Sequence, residues 1–351
     1  MSVAAIAHVR LAGIAAAVPP LRTMTWEELV VPADRFKKSR AFHRQPVVRA
    51  AQWAQCQSDF CQRAAETLLK DLAWSPSEID VVVMVTITPD YPIPATAIIL
   101  QDRLGIPRTA LAFDLPGSGA TFFHGLQLVA SMLSTGHLRR GLLLCGKVSK
   151  IVDGPDAVES IEHIRGHNGG VCALEHTPGV APMIFHAGGD GALFESFYMP
   201  VGGTRQPPLR EMFSGENANV FENPAMQFTR DVAACEDAAA RELPLSARAV
   251  LAQAGKSVAD VDFCFAQPMG LMAEQALRAG LGLSADRFHG RTREYGTGGS
   301  GGIVLAMLAR AASRLQSGPR TSLLTGLGAG LAWGSALIAT DRLVCPEILE
   351  M

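Results

Sequence analysis

Two stretches of this chain share a pattern, and each leads from a long helix-like segment into a short apolar run. Ser75-Pro76-Ser77-Glu78-Ile79-Asp80-Val81 precedes the first run, and Ser257-Val258-Ala259-Asp260-Val261-Asp262-Phe263 precedes the second. A local pattern that recurs in the same structural context indicates an internal duplication. The sequence therefore predicts a fold built from two similar halves, about residues 1–172 and 173–351.

The apolar runs have the character of strands that are buried on both faces. Residues 80–86, Asp-Val-Val-Val-Met-Val-Thr, are β-branched and apolar without alternation. Because such runs alternate with segments of helical periodicity, we expect an α/β fold in which helices pack on sheets. Helices are predicted at 52–72, 94–104, 120–135, 238–254, 271–281 and 302–315, and strands at 80–86, 110–115, 141–146, 261–265, 321–324 and 335–338.

Composition and charge exclude several kinds of protein. With 48% hydrophobic residues and a mean hydropathy of +0.18, the 351 residues can fill a large core. A net charge of −2 offers no basic surface for nucleic acid or for a membrane. The charge-free segment 321–340 contains four glycines, which favours two short buried strands over a membrane-spanning helix.

The seven cysteines are scattered and odd in number, with no CxxC pair and no histidine cluster beside them. We expect free, mostly buried thiols, a cytoplasmic protein, no metal and no cofactor. The helices at 120–135 and 302–315 are strongly apolar and are expected at the centre of the molecule. Segment 150–235 is richer in Gly and Pro and is expected to supply loops.

One turn carries most of the functional information. Phe113-Asp114-Leu115-Pro116-Gly117-Ser118-Gly119-Ala120-Thr121-Phe122 leads from a predicted strand into a predicted helix. This turn and the segments 86–97 and 328–338 resemble the corresponding parts of beta-ketoacyl-acyl carrier protein synthase III, a family of the thiolase superfamily. The resemblance covers about residues 8–340 of the chain. The resemblance implies a five-layered αβαβα thiolase-like fold and a dimer that pairs the strands after the nucleophile turn. It also implies acyl-CoA or acyl carrier protein thioesters as ligands.

All three catalytic side chains of the family are replaced in this sequence. The cysteine that becomes acylated aligns with Gly119. The histidine that helps decarboxylation aligns with Gln267, and the asparagine that shares this task aligns with Thr297. The backbone N–H groups of Gly119 and Ala329 match the family's oxyanion site. If only the nucleophile were missing, Gly119→Cys would place a reactive thiol beside the Ala329 N–H.

Ser118 is the only hydroxyl immediately beside the lost nucleophile, and it needs a neighbouring base to act. His186 and His289 are candidate bases, whereas His124 lies about 240° round a helix from Ser118 and is expected to point elsewhere. The alternative is that Ser118 caps the helix at 120–135. Gln267 and Thr297 keep hydrogen-bond donors that could bind a thioester carbonyl, or they line a filled pocket.

Three functions remain open at this point. The preferred one is a non-catalytic subunit of fatty-acyl or polyketide-type biosynthesis, as a homodimer or paired with an active ketosynthase-like paralogue. The second is an acyltransferase or priming ketosynthase that uses Ser118. The third is a regulatory module that binds an acyl thioester. Whether the chain is an enzyme therefore depends on what occupies the space around Gly119.

Overall fold

The computed structural model describes residues 3–23, 47–149, 166–209, 229–267, 271–290, 295–296 and 298–351. Within these ranges the helices are α1 (Gln57–Asp71), α2 (Thr96–Arg103), α3 (Thr121–Leu133), α4 (Val232–Gln253), α5 (Leu271–Leu281) and α6 (Gly302–Gln316). The strands of the first half are β1 (Val3–Ile6), β2 (Val9–Val18), β3 (Leu21–Thr23), β4 (Val47–Arg49), β5 (Val81–Thr86), β6 (Leu111–Pro116), β7 (Arg140–Lys147) and β8 (Asn168–His176). Those of the second half are β9 (Met183–Gly189), β10 (Phe197–Tyr198), β11 (Thr229–Arg230), β12 (Phe263–Ala266), β13 (Phe288–His289), β14 (Arg320–Gly328), β15 (Ala332–Thr340) and β16 (Leu349–Glu350).

The strands of the described residues form two six-stranded sheets. The N-terminal sheet has the order β16-β2-β8-β7-β5-β6, and the C-terminal sheet has the order β1-β9-β15-β14-β12-β13. Helices α3 and α6 lie between the sheets, because one apolar cluster joins residues of both helices to inward-facing residues of both sheets. The central position predicted for 120–135 and 302–315 is therefore confirmed.

Further helices cover the outer face of each sheet. One cluster packs α1 and α2 on the N-terminal sheet through Phe60, Leu68 and Leu100. Another packs α4 and α5 on the C-terminal sheet through Leu243 and Leu277. The layers run helix, sheet, helix, sheet, helix, which is the five-layered arrangement expected from the sequence.

The duplication extends to individual hydrogen bonds. The Asp80 N–H donates to the Arg140 carbonyl at 2.9 Å, and the Asp262 N–H donates to the Thr321 carbonyl at 2.9 Å. The Asp80 side chain accepts the Arg139 N–H at 2.6 Å, and the Asp262 side chain accepts the Thr321 N–H at 2.7 Å. Each aspartate thus ties the start of one strand to the start of its neighbour in the same way.

Segment 150–235 was expected to supply loops, but its described part contains the long strands β8 and β9. The glycines at the start of β8 serve close packing. A Cβ on Gly169 would lie 2.3 Å from the Cys61 nitrogen of α1, so glycine lets this helix lie directly on β8. The proposed division at 172/173 falls inside β8, and the change from one sheet to the other follows His176.

Strand β6 lies at the edge of the N-terminal sheet and leads into α3. It precedes the turn at 117–120, whereas the family resemblance placed the dimer-pairing strands after that turn. Leu111 of β6 is 46% exposed and Ile98 of the neighbouring α2 is 48% exposed. An unpaired sheet edge with apolar neighbours is a typical surface for pairing with another chain. In the described part of the chain, no helix is both long and apolar enough to cross a membrane.

Candidate functional site

The nucleophile position is closed by backbone atoms. Gly119 has a φ of +53°, a backbone conformation that residues with a side chain rarely adopt. A Cβ built on Gly119 would lie 2.0 Å from the carbonyl oxygen of Leu327 and 2.9 Å from the Cα of Gly328. Real Cβ atoms do not approach other atoms this closely, so this backbone geometry accepts only glycine.

Gly328, on the other side of this contact, also has no space for a side chain. A Cβ on Gly328 would lie 2.2 Å from the Ser118 carbonyl oxygen and 2.7 Å from the Ala120 nitrogen. Two glycines from different halves of the chain therefore let the 118–120 turn and the end of β14 meet backbone to backbone. The sequence prediction put the Ala329 N–H beside position 119. The atom nearest to a Cβ built on Gly119 is the Leu327 carbonyl oxygen, a hydrogen-bond acceptor.

Helix α3 begins at Thr121, and no side-chain cap hydrogen bond is found at its N-cap residue, Ala120. The Ser118 carbonyl accepts the Thr121 N–H at 3.2 Å, and the Gly119 carbonyl accepts the Phe122 N–H at 3.0 Å. The capping role considered for the Ser118 hydroxyl is thus not what the structure has. Ser118 itself is half-buried beside the closed turn.

Gln267 follows β12 and is 3% exposed. Its Nε2 donates to the Gly299 carbonyl, and its backbone N–H donates to the Thr325 carbonyl at 2.8 Å. Its Oε1 is buried and has no hydrogen-bond partner among the described residues. The carboxamide is therefore held at one end and has an unused acceptor at the other. Thr297, the third replaced position, lies outside the described residues.

The glycine-rich stretch after Thr297 packs against the first half. Ser300 Oγ accepts the Gly146 N–H at 2.8 Å and donates to the Val85 carbonyl at 3.1 Å. A Cβ on Gly299 would lie 2.6 Å from the Cβ of Lys147, which explains the glycine there. The sequence analysis did not single out Ser300, because a serine among glycines gives no signal of a buried bridge.

Neither candidate histidine is placed to serve Ser118. His186 lies on the face of the C-terminal sheet that is covered by α4, where its Nδ1 is 2.8 Å from Ser246 Oγ. The α3 helix packs on the opposite face of that sheet. His289 lies against Phe263 and Phe265, with ring centroids 5.8 and 5.4 Å away. The structure therefore shows no histidine of the described residues in contact with Ser118.

Burial lowers the pKa of His186 below its ordinary value, so the folded protein keeps this ring neutral near neutral pH. In the unfolded chain the same histidine binds a proton below about pH 6.5, whereas the folded chain resists this protonation. The free energy of unfolding should therefore fall as the pH drops through that value. His124 and His289 have pKa values lowered in the same direction. We expect a lower urea midpoint at pH 5.5 than at pH 7.5.

His186→Asn should reduce this pH dependence. The matched control is His137→Asn, the same change at an exposed histidine, which should leave the dependence as in the wild type. If the urea midpoint of the His186 variant depends on pH as strongly as that of the wild type, other groups cause the loss of stability at low pH.

The cysteines supply no replacement nucleophile at the turn. Six of the seven are buried, and Cys56 is half-exposed at the start of α1. Burial raises the pKa of Cys172 and of Cys264 to about 12, so these thiols stay protonated and unreactive. Among the described residues, no group of three or more potential ligands could hold a metal ion.

The chain is similar throughout its length to known ketosynthases. Residues 251–340 match the family model described as 3-oxoacyl-[acyl-carrier-protein (ACP)] synthase III C terminal. Beta-ketoacyl-[acyl-carrier-protein] synthase III of Desulfitobacterium hafniense (strain Y51) is 28% identical over 288 residues, 81% of this chain and 83% of the relative. The corresponding protein of Symbiobacterium thermophilum is 27% identical over 342 residues, 96% of this chain and 99% of the relative.

A solved structure of a similar protein has the same fold. The 3-oxoacyl-(acyl-carrier protein) synthase from Burkholderia xenovorans LB400 superposes with a TM-score of 0.86 at 26% identity, covering 100% of this chain and 99% of that one. The duplicated halves and the central helices α3 and α6 define a protein with the thiolase-like fold. In sequence and in fold the chain is thus similar to the beta-ketoacyl-acyl carrier protein synthase III family.

Proposed function

We propose that the chain is a ketosynthase-III-like subunit of fatty-acyl or polyketide-type biosynthesis that does not itself catalyse condensation. The observation that carries this proposal is the contact between Gly119 and the Leu327 carbonyl. A missing cysteine alone would leave a space where the thiol stood. Here backbone atoms occupy that space, so the replacement is part of the packing of the two halves.

The remaining groups offer no substitute chemistry. The amide of Gln267 cannot take or give a proton in the physiological range, and its Nε2 is already bonded to Gly299. Ser118 has no histidine of the described residues beside it, and a serine hydroxyl without a base is a poor nucleophile. These features favour a non-catalytic role over the Ser118-dependent acyltransferase.

A non-catalytic subunit can still contribute through its dimer surface, because the exposed Leu111 lies at the start of β6, at the opposite end of the strand from the closed turn. We propose a homodimer or a heterodimer with a cysteine-bearing paralogue in the cytoplasm, joined along β6. Acyl-CoA or acyl carrier protein thioesters are the proposed ligands of the assembly. The relatives' names include the acyl carrier protein, which supports this class of ligand.

Charges placed on the β6 surface should prevent self-association. The double variant Ile98→Lys, Leu111→Lys changes two side chains that are about half exposed in the single chain, so folding should be little affected. Burying two lysines in an interface is costly, and sedimentation should show a shift towards monomer. Leu245→Lys on α4, also 46% exposed, is the control and should leave association unchanged. A double variant that associates like the wild type would place the interface elsewhere.

The proposal is tested directly by intact-mass measurement after incubation with acyl-CoA. We expect no covalent adduct on the wild type, because neither Gly119 nor an activated serine can accept an acyl group. An adduct that is lost in Ser118→Ala would replace the proposal with the acyltransferase alternative. An adduct that persists in this variant and maps to Cys56 would be chemical labelling of the accessible thiol.

A further inference from the structure

A polar cavity of about 510 Å³ lies at the end of the N-terminal sheet where β5 and β7 begin and β8 ends. The described residues that line it are all acids, arginines or histidines. Strands β5 and β6 are parallel, and the closed turn at 117–120 follows the other end of β6. The cavity is therefore separate from the replaced nucleophile position.

One arginine of the cavity is held by its two glutamates. Arg140 Nη1 lies 2.6 Å from Glu78 Oε1, and its Nη2 lies 3.0 Å from Glu175 Oε1. The second oxygen of Glu175 accepts a hydrogen bond from Arg10 Nη2 at 2.6 Å. The Arg140 guanidinium also lies over Trp74, 4.4 Å from the ring centroid. These contacts fix Arg140 and offset the charge of both glutamates.

The other arginine of the cavity, Arg139, is exposed, and its guanidinium has no ion pair or hydrogen bond within the described part of the chain. Arg320 is its counterpart in the duplicated half, because each precedes the residue whose carbonyl accepts the N–H of the aspartate at the strand entry. The Arg320 guanidinium donates to the Pro319 carbonyl at 2.8 Å and to Ser317 Oγ at 3.2 Å. The second-half arginine is thus engaged in its own turn, whereas Arg139 is left for a ligand.

Two histidines line the same cavity. His176 Nδ1 is 2.9 Å from the Leu133 carbonyl, which is an acceptor, so Nδ1 carries a proton and Nε2 is left for a ligand. His137 is exposed and has no hydrogen bond to another described residue. An arginine fork with imidazole rings beside it is a typical arrangement for binding a phosphate group.

The acids give the cavity a second kind of binding group. Asp80 uses Oδ2 to accept two backbone N–H groups, and Glu78 is about half exposed. Ionised carboxylates accept several hydrogen bonds each, and these two keep acceptor sites beyond the contacts described. Hydroxyl groups of a ligand are suitable donors to them. The cavity thus offers cationic groups for an anion and carboxylates for hydroxyls.

We propose that this cavity binds a small phosphorylated polyol, a sugar phosphate being the simplest, with the phosphate on Arg139 and the histidines and the hydroxyls on Glu78 and Asp80. Inorganic phosphate would fill only a small part of the cavity and would leave the carboxylates without donors. An uncharged polyol would leave Arg139 without a partner. The inference does not depend on the proposed role in acyl metabolism, because the two sites lie at opposite ends of the sheet.

Three probes separate these cases: ribose 5-phosphate, inorganic phosphate and ribose. Calorimetric titration of the full-length chain at constant ionic strength should show ribose 5-phosphate binding with a Kd of about 1 mM or below, inorganic phosphate about tenfold more weakly, and ribose not measurably. Arg139→Gln should weaken the binding of ribose 5-phosphate about tenfold or more, because it removes the charged donor. Arg320→Gln is the matched control and should bind like the wild type. Thermal melting establishes that both variants are folded.

The other outcomes each contradict the proposal. Absence of saturable binding of ribose 5-phosphate to the wild type would overturn the site. Equal affinity for ribose 5-phosphate and inorganic phosphate would overturn the polyol class, because the carboxylates would then add nothing. Unchanged binding in Arg139→Gln, or an equal loss in Arg320→Gln, would show that the phosphate does not bind at this cavity.

Discussion

The isolated chain is expected to condense acetyl-CoA with malonyl-acyl carrier protein at least about 10⁴-fold more slowly than a cysteine-bearing relative. Acyl transfer, decarboxylation and carbonyl polarisation each lose a group that is worth about 10²-fold or more. Groups that act as a unit are not lost independently, so the three factors do not simply multiply, and the expected loss is at least about 10⁴-fold. The structure adds a reason for this, because Gly119 has no space for a nucleophile.

The measurement is release of free CoA and appearance of the 3-oxoacyl product, with a cysteine-bearing relative run in parallel as the positive control. Ser118→Ala should leave the background rate unchanged. Condensation at a rate near that of the relative, abolished by Ser118→Ala, would show that the chain is an enzyme with a serine nucleophile. Activity that appears only on mixing with a cysteine-bearing paralogue would support the proposed heterodimer.

The sequence predicted the layers of this fold because each layer has a strong local signal. The run 80–86 without alternation is typical of a strand covered on both faces, and it became β5 between helical layers. The apolar helix 302–315 became the buried central α6. Strands β8 and β9 were missed, because their glycines serve contacts with α1 and with neighbouring strands that are made only in the folded chain.

The candidate site was harder to predict, because its defining contacts join distant parts of the chain. The alignment of Gly119 with the family's cysteine identified the position, but it could not show that Leu327 fills the space. His186 was a reasonable base on sequence grounds, since the face of a strand that a residue occupies depends on register. That register turned His186 towards α4 and away from Ser118.

Substituting Gly119 by alanine should destabilise the protein far more than the same change at Gly105. Both glycines have positive φ, +53° and +68°, so both substitutions incur the strain of the left-handed conformation, about 1–2 kcal/mol. A Cβ at Gly105 meets nothing within 4 Å, whereas a Cβ at Gly119 meets the Leu327 carbonyl at 2.0 Å. Forced separation of packed backbone adds about 1–3 kcal/mol, giving about 2–5 kcal/mol in total for Gly119→Ala. Urea denaturation of both variants measures the difference.

The same geometry decides what a cysteine would do at this position. Gly119→Cys should be destabilised like the alanine variant, and its thiol would lie against a carbonyl oxygen, which disfavours the thiolate. Its reaction with iodoacetamide should therefore be no faster than that of Cys56, the half-exposed native thiol. A variant that folds with wild-type stability, and whose new thiol is acylated by acyl-CoA ahead of Cys56, would contradict the closed site. The β14 end would then move aside readily, and the chain would be an enzyme scaffold that lacks only its nucleophile.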